Sequence, residues 1–345
     1  MAPETSQRDP HSGKIRTQSK QPVLILGTGI SGLSVANELL TSGKYDVTHW
    51  SDRPVEQMTS SKAAAFWYPV CVEGKEEQIV EWSEQTLHHF LGLLSTPNAG
   101  VSMKETCELH RKPKEKDPAW ARVVADFRHA KRSDLPQEFV SAYLLTVPVA
   151  MTRYYLEYML QKNVARGAKI EAKHVDDIQE ALDQYDVVVN CTGMGARDLG
   201  GAKDDKMLAV RGDLVRIKNP GNISDILMDE DNPKVTYICP RTAPDRTQSD
   251  VILGGTFDEG NEKTEIDEDV AQGIIERCAQ FHESIRGMKP LEHIVGHRPK
   301  RKGGVRVEEE SRSGGKRLVW NVGHGGSGFT IAQGCAADVV KLIGK

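Results

Sequence analysis

The chain has 345 residues, of which 38% are hydrophobic and 27% are charged, a balance that excludes wholesale disorder and allows a large core. The length exceeds the common single-domain size, so we expect two interleaved domains or one large α/β unit. The net charge of −4 excludes a global positive field, and we expect no nucleic-acid partner. The six cysteines lie far apart without a Cys-x-x-Cys pair, so we predict neither a metal site nor a secreted disulfide scaffold.

The first segment of the chain has no structural pattern. Residues 1–20 are polar and lack periodicity, which predicts a disordered leader rather than a secretory signal peptide. No apolar run approaches the roughly 18 residues that span a bilayer. We therefore expect a soluble intracellular protein without a membrane partner.

A β-α-β unit is predicted at the start of the ordered chain. The four apolar residues Val23 to Leu26 are typical of a strand buried on both faces of a parallel sheet. Apolar positions at helical spacing between Ile30 and Leu40 predict a helix. A second strand is predicted from Val47 to Trp50, directly before Asp52.

The rest of the chain alternates between this domain and a second one. Residues 95–144 form a mixed, charged region, and several short strands after residue 206 predict a mostly antiparallel second sheet. The further predicted helices are Ile79–Leu94, Met151–Ala168, 267–282 and Thr330–Ile343, and the further predicted strands are Tyr185–Asn190, Leu214–Ile217, Thr236–Cys239, Val251–Gly254, Val305–Glu308 and Leu318–Val322, with Val305–Glu308 expected in the second sheet.

The glycines between the first strand and helix predict a dinucleotide site. Gly27, Gly29 and Gly32 form G-x-G-x-x-G, in which the glycines allow a tight turn, close approach of a pyrophosphate and close helix packing. The helix N-terminus would bind the phosphates. Asp52, twenty residues beyond Gly32, would accept hydrogen bonds from ribose hydroxyls and argues against NADP. The motif leaves NAD and FAD open, and a glycine-rich turn that binds nothing is the structural alternative.

Two further segments favour FAD. Thr59 to Pro69 places hydroxyls before small and then aromatic residues, which would suit a phosphate and a flat ring, although a hydrophobic strand with a polar start is the alternative. Gly323 to Gly328 opens the last helix as a second glycine-rich helix start. A long cofactor held at opposite ends by the two glycine loops is the economical explanation, whereas an NAD-dependent dehydrogenase would give the second loop no role.

These motifs resemble those of the D-amino-acid oxidase and D-aspartate oxidase family, with glycine and sarcosine oxidases as more distant members. The resemblance runs from about Pro22 to Lys345. The motifs that carry it are Gly27–Gly32 with Asp52-Arg53, Ala63–Pro69, Asn190–Gly193, Val210–Gly212, Tyr237–Arg241, Gly254–Phe257, Gly296–Pro299 and Gly323–Thr330.

The resemblance implies an α/β protein with a Rossmann-like FAD-binding domain assembled from discontinuous segments. That domain would comprise residues 21–70, 145–205 and 295–345, and a substrate domain with the mostly antiparallel sheet would comprise residues 71–144 and 206–294. The cofactor-binding residues implied are Gly27, Thr28, Gly29, Ile30, Ser31, Gly32, Asp52, Arg53, Thr59, Ser60, Ala64, Ala65, Phe66, Val175, Thr192, Gly193, Gly323, Gly325, Gly326, Ser327, Gly328, Phe329 and Thr330.

The resemblance also implies a site for the substrate. Arg298 would bind the substrate carboxylate through its planar fork of donors, with Tyr237 adding a contact and the Gly326 carbonyl accepting from the amine. Without the resemblance, Arg298 reads as part of a basic surface run with Lys300, Arg301 and Lys302, and Tyr237 as a core residue of a sheet. The implied substrate pocket residues are Met228, Phe257 and Trp67.

The activity implied is oxidative deamination of a D-amino acid, with hydride transfer to flavin N5, to a 2-oxo acid, ammonia and hydrogen peroxide. Apolar walls and the acidic segment from Met228 to Asp231 favour neutral or aromatic substrates, while Arg241 keeps D-aspartate oxidase as an alternative beside a glycine or sarcosine type of oxidase. The partners would be the D-amino acid and O2, in a possible homodimer.

The sequence departs from the family pattern in three places. Residues 222–235 contain no lid tyrosine, and Asp213 follows Arg-Gly where many relatives carry Gln. The resemblance implies a peroxisomal protein, but the chain has no C-terminal Ser-Lys-Leu, so a cytoplasmic location is the alternative. A non-enzymatic flavin-binding protein, which would tolerate loss of Arg298, is the alternative from another class.

Overall fold

The structure is a computed structural model that describes residues 19–229, 231–245 and 249–345. Residues 1–18 of the predicted leader and Glu230 of the predicted acidic segment lie outside the described residues. The strands are β1 (Gln21–Leu26), β2 (Tyr45–Ser51), β3 (Val101–His110), β4 (Arg128–His129), β5 (Ser141–Ala150), β6 (Lys169–Ala172), β7 (Val187–Asn190), β8 (Met207–Lys218), β9 (Ile226–Asp229), β10 (Thr236–Thr242), β11 (Ser249–Gly254), β12 (Asp258–Glu259), β13 (Glu292–Arg301), β14 (Arg306–Ser311) and β15 (Arg317–Val322). The helices are α1 (Ile30–Thr41), α2 (Glu76–Leu93), α3 (Thr152–Ala165), α4 (Ile178–Leu182), α5 (Glu268–Ala279) and α6 (Gly328–Ile343).

The first sheet has the order β14-β15-β7-β1-β2-β6. Its strands pair in parallel except β14, which runs antiparallel beside β15 at the edge. The residues of β7 and the last four of β1 are buried, as expected for strands covered on both faces. Helices α1 and α6 cover one face through Val35, Leu39 and Val339, and α4 covers the other. The predicted Rossmann-like sheet is confirmed.

The second sheet has the order β12-β8-β11-β10-β9-β3-β5-β4, with β13 on the other side of β8. Its strand pairs are antiparallel except β3 with β9, so the predicted mostly antiparallel sheet is confirmed. Helix α5 packs on one face of this sheet. The other face carries Leu214, Met228 and Tyr237 toward the first sheet.

Two long strands were not predicted. β3 and β5 each contain ten residues and pair over their full length. The sequence of β3 includes Lys104, Glu105 and Glu108, which interrupt an apolar alternation, and β5 contains Pro148, which normally argues against an interior strand. Local pattern therefore did not reveal a pairing that depends on residues about forty positions apart.

One strand belongs to a different sheet from the one predicted for it. The strand predicted at Val305–Glu308 belongs to the first sheet, because β14 pairs with β15 rather than with strands of the second sheet. The preceding strand, β13, pairs with β8 over its whole length, so the boundary predicted at residue 295 falls inside β13. No helix within the described residues is long and apolar enough to cross a membrane.

Candidate active site

A cavity of about 670 Å³ lies between the two sheets. At one end it is lined by residues that follow β1, β2 and β7, which is where nucleotides bind in parallel sheets of this type. At the other end it reaches Tyr237 and Arg298 of the second sheet. The predicted cofactor and substrate residues thus meet along one continuous space.

The first glycine loop has the geometry that its motif predicts. Gly27 has a φ of +102°, and a Cβ there would lie 2.8 Å from the Cys191 carbonyl oxygen. A Cβ on Gly32 would lie 2.3 Å from the Gly27 carbonyl oxygen, so this glycine allows α1 to pack against the turn. Gly29 precedes the first residue of α1, where the Ile30 N–H donates a hydrogen bond to the Ser60 hydroxyl oxygen at 3.0 Å.

Asp52 and Arg53 stand beyond the end of β2. The Arg53 guanidinium donates two hydrogen bonds of 2.9 and 2.8 Å to the Asp52 carboxylate, and this pairing lowers the pKa of Asp52 against a smaller opposing effect of burial. Asp52 is therefore ionised and keeps lone pairs for further donors. Both residues line the cavity together with Val175, which places them where an adenosine would lie.

The second glycine loop meets the first, which differs from the expectation that the two hold opposite ends of a cofactor. A Cβ on Gly328 would lie 3.6 Å from Cγ2 of Ile30, so α1 and α6 begin side by side. They do so because both helices pack on the same face of the first sheet. Two helix N-termini, each with a positive dipole end, consequently open together on the cavity.

The backbone of the second loop is also restricted to glycine at two positions. Gly323 and Gly325 have φ values of +88° and +54°. A Cβ on Gly325 would lie 2.1 Å from the Cys71 carbonyl oxygen, so no other residue fits there. Gly326 follows and lines the cavity.

Several predicted cofactor residues face away from the cavity and hold its walls. The Thr330 hydroxyl donates to the Tyr68 carbonyl oxygen at 2.9 Å, and the Ser327 hydroxyl donates to the Val70 carbonyl oxygen at 2.5 Å. The Thr28 hydroxyl lies 3.0 Å from that of Ser51. The predicted cofactor residues that line the cavity are Gly27, Gly29, Ile30, Ser31, Asp52, Arg53, Thr59, Ser60, Ala64, Ala65, Phe66, Val175, Thr192, Gly193, Gly325, Gly326, Gly328 and Phe329.

Arg298 lies flat over a glycine of the neighbouring strand. In the pairing of β13 with β8, a Cβ on Gly212 would lie 2.4 to 2.6 Å from the guanidinium atoms of Arg298. Nη1 donates to the carbonyl oxygens of Thr256 at 3.2 Å and Arg211 at 3.4 Å. Within the described part of the chain no carboxylate pairs with Arg298, although it lines the cavity and is only half-buried. This arginine can therefore bind an external carboxylate.

Tyr237 lies over a second glycine in the same way. It is opposite Gly254 in the pairing of β10 with β11, and a Cβ there would lie 2.1 Å from the Tyr237 ring. Burial raises the pKa of the Tyr237 hydroxyl far above its usual value, while the charge of Arg298 acts in the opposite direction. The hydroxyl is thus protonated and can donate a hydrogen bond at the same end of the cavity as Arg298. Gly212 and Gly254 were absent from the predicted site, although a glycine inside a strand signals a close approach.

The three predicted pocket residues occupy different places. Met228 and Phe257 line the cavity, and the Phe257 ring lies 5.7 Å below the Arg298 guanidinium carbon. Trp67 instead lies in the core, fully buried, with its indole N–H donating to the Ser83 carbonyl oxygen at 2.9 Å. Phe66 and Tyr68 line the cavity and Trp67 does not, as expected where alternate side chains of an extended segment point to opposite sides.

Three other arginines near this end are paired with carboxylates of the protein. Arg241 donates two hydrogen bonds of 2.8 and 2.9 Å to buried Asp250, and Arg111 binds Asp229. Asp213 accepts from Arg211 at 2.9 and 2.7 Å and lies behind the cavity wall. Arg298 differs from these arginines because, among the described residues, it lines the cavity and donates only to backbone carbonyls.

The basic run that follows Arg298 is not uniformly solvated. Arg301 donates to Asp204 at 2.8 Å and its side chain is mostly buried. Lys300 pairs with Glu73 and Glu259 near the surface, and Lys302 is exposed. The alternative reading of Arg298 as one member of a solvated run is therefore not what the structure shows.

The fold and the cavity together define a dinucleotide-dependent oxidoreductase. The sequence profile of the family described as FAD dependent oxidoreductase matches residues 22–342. The chain therefore belongs to the FAD dependent oxidoreductase family, and FAD is its cofactor. The resemblance drawn from the motifs is confirmed.

The relatives include D-amino-acid oxidases from distant organisms. The chain is 38% identical over 322 residues to the D-amino-acid oxidase of Rubrobacter xylanophilus, covering 93% of this chain and 95% of the relative. It is 35% identical over 332 residues to the D-amino-acid oxidase of Dictyostelium discoideum, covering 93% and 91%. A solved structure, glycine oxidase from Bacillus cereus ATCC 14579, shares the fold with a TM-score of 0.75 at 17% identity, covering 94% of this chain and 95% of that one.

Proposed function

We propose that the protein catalyses the FAD-dependent oxidative deamination of D-amino acids to 2-oxo acids, ammonia and hydrogen peroxide. The observation that carries this proposal is one cavity that joins the paired helix starts to Arg298, which has no carboxylate partner among the residues that the structure describes. FAD supplies the acceptor for the substrate hydride when it is bound. The relatives of 38% and 35% identity carry the name D-amino-acid oxidase and support the same activity here.

The residues at the far end of the cavity would bind and orient the substrate. Arg298 offers two parallel N–H groups to the substrate carboxylate, and the Tyr237 hydroxyl donates to the same group. The Gly326 carbonyl would accept from the amine. Fixing both groups orients the α-hydrogen toward the cofactor, and this positioning is the protein's main contribution to rate.

The pocket walls favour neutral substrates. Phe66, Met228 and Phe257 present apolar surface along the cavity. Arg241, which would have to bind the second carboxylate of D-aspartate, is buried and pairs with Asp250 through both oxygens. Since its charge is already paired with Asp250, we infer that D-aspartate is a poor substrate and that neutral or aromatic D-amino acids are preferred.

The two sheets support the proposal that one domain binds FAD and the other binds the substrate. The parallel sheet with α1, α4 and α6 would form the FAD-binding domain, and the second sheet with α5 would form the substrate domain. We further propose a homodimer, which sedimentation of the purified protein would test. A peroxisomal location is proposed from the family resemblance, with a cytoplasmic location as the alternative, and cell fractionation would test it.

The experiment combines absorbance with a substrate panel. The purified protein should show the flavin absorbance band near about 450 nm and release peroxide with D- but not L-amino acids. Arg298→Ala should abolish turnover while FAD remains bound, whereas Lys302→Ala, on the exposed side of the same run, should have wild-type activity. A colourless protein that retains NAD, or an active Arg298→Ala variant, would overturn the proposal.

A further inference from the structure

A chain of buried polar groups lies on the cavity face of the second sheet. The Tyr68 hydroxyl donates to Oε2 of Glu108. Oε1 of Glu108 lies 3.1 Å from Nε2 of His110, and the other ring nitrogen of His110 lies 3.1 Å from the Ser141 hydroxyl. Glu108 and His110 are 2% and 0% exposed. Buried polar groups cost free energy unless they are hydrogen-bonded, and each of these four groups lies within hydrogen-bonding distance of another.

Strand register fixes how far Glu108 lies from the substrate site. Tyr237 of β10 is opposite Met228 of β9, and Met228 is opposite Glu108 of β3. Residues that are directly opposite point to the same face of a sheet, and neighbouring strands are about 4.8 Å apart. Glu108 is therefore on the cavity face, roughly 10 Å from Tyr237.

Of these four polar residues, Tyr68 lines the cavity. The Phe66 ring lies between it and Tyr237, with centroid distances of 6.3 Å to Tyr68 and 5.6 Å to Tyr237. A substrate whose carboxylate is on Arg298 and Tyr237 thus has Phe66 and Met228 beside its side chain and Tyr68 beyond them.

We propose that Tyr68, backed by Glu108, accepts a hydrogen bond from substrate side chains that carry an N–H group and excludes those that end in a carboxylate. A phenol has one proton, and Tyr68 donates it to Glu108, so its oxygen retains only acceptor capacity. A substrate carboxylate, which can only accept, would find no donor there and would lie close to an anion. The inference rests on the proposed function, since it concerns the side-chain end of the same site.

Three D-amino acids of similar length separate the effects. D-glutamine ends in an N–H donor, D-glutamate is its acidic isostere, and D-methionine is apolar. We expect the wild-type kcat/KM for D-glutamate to be at least about 100-fold below that for D-glutamine, because its buried charge would be unpaired. Tyr68→Phe should lower kcat/KM for D-glutamine about 3- to 10-fold, the effect of one hydrogen bond, and leave D-methionine within about twofold.

Two more variants complete the test. Glu108→Gln, which removes the charge at constant shape, should lower the ratio of kcat/KM for D-glutamine to kcat/KM for D-glutamate by at least about tenfold. Tyr143 lies directly opposite Glu108 on β5 but does not line the cavity. Tyr143→Phe, which also removes one phenol hydroxyl, should leave the ratio of kcat/KM values for D-glutamine and D-glutamate unchanged. If Glu108→Gln does not fold, Tyr68→Phe still decides, because the phenyl ring keeps its packing on Trp120 at 4.8 Å.

The outcomes are distinct. A loss confined to D-glutamine in Tyr68→Phe supports the inference. An equal loss for D-glutamine and D-methionine, or a wild-type enzyme that oxidises D-glutamate as well as D-glutamine, overturns it while leaving the proposed function intact. Failure to oxidise any D-amino acid overturns the proposed function itself.

Discussion

Gly212 provides a sharp test of how Arg298 is positioned. A methyl group added by Gly212→Ala would lie 2.4 to 2.6 Å from three guanidinium atoms, closer than real Cβ contacts, so the guanidinium must move away by roughly 1 Å to reach ordinary contact distance. Its backbone has no positive φ, so alanine itself is tolerated in the strand. The expected defect is therefore in the position of one side chain rather than in folding.

The magnitude follows from the interaction that is lost. Hydrogen bonds to a charged group are each worth about 1.5–3 kcal/mol, so misplacing the fork should lower kcat/KM about 10- to 150-fold. Steady-state peroxide release gives kcat/KM, and flavin absorbance with thermal unfolding reports cofactor retention and stability.

The matched control for this change is Gly296→Ala. Gly296 is opposite Gly212 in the same strand pair, but a Cβ there would lie 3.4 Å from the flexible Lys62 side chain, an ordinary contact. This variant should remain within about threefold of wild type. Wild-type kcat/KM in Gly212→Ala would refute the inference that the position of Arg298 over this strand governs catalysis.

Gly32, Arg241 and His324 each offer a further test of the structure. Gly32→Ala, whose Cβ would lie 2.3 Å from the Gly27 carbonyl oxygen, should cost about 1–3 kcal/mol through overpacking and weaken FAD binding, which denaturant unfolding and flavin release measure. Arg241→Ala should cost up to about 5 kcal/mol, because it leaves buried Asp250 with only the more distant Arg216 guanidinium at 3.8 Å. The ratio of D-aspartate to D-alanine turnover should not change; a changed ratio would revive the D-aspartate reading. Burial lowers the pKa of His324 to about 4, so between about pH 6.5 and pH 4 the unfolded chain binds a proton that the folded chain does not. The free energy of unfolding should therefore fall by up to about 3 kcal/mol from this group as the pH drops through that range. His324→Gln should flatten this dependence of stability on pH in melting curves, and an unchanged slope would contradict the prediction.

Sequence reasoning succeeded where the constraint is local. The roles of Gly27 and Gly32 follow from the geometry of one turn and one helix, which is contained in six consecutive residues. Residues that depend on partners far along the chain were missed. Gly212 must be glycine because Arg298 lies over it, and Gly254 must be glycine because Tyr237 lies over it. A glycine in a strand indicates that another group comes close, but it does not show which group.

The alternation of side chains around Trp67 is a local signal for which residues line the pocket. In an extended segment alternate side chains point to opposite sides, so Phe66 in the cavity implies that Trp67 faces the core and Tyr68 faces the cavity. The alternation would have exchanged Trp67 for Tyr68 in the predicted pocket. It would not have revealed Glu108, because β3 lacks a clear strand pattern and its place beside β9 is set by tertiary structure.

The arginines of the second sheet show what distinguishes a binding residue from a structural one. Arg211 and Arg241 are buried, and each satisfies its fork with a carboxylate of the protein. Arg298, one residue beyond the pairing partner of Arg211 on β13, donates only to backbone carbonyls within the described residues. A guanidinium held in place by carbonyls keeps its charge uncompensated, and the free energy of pairing that charge becomes available to a ligand carboxylate.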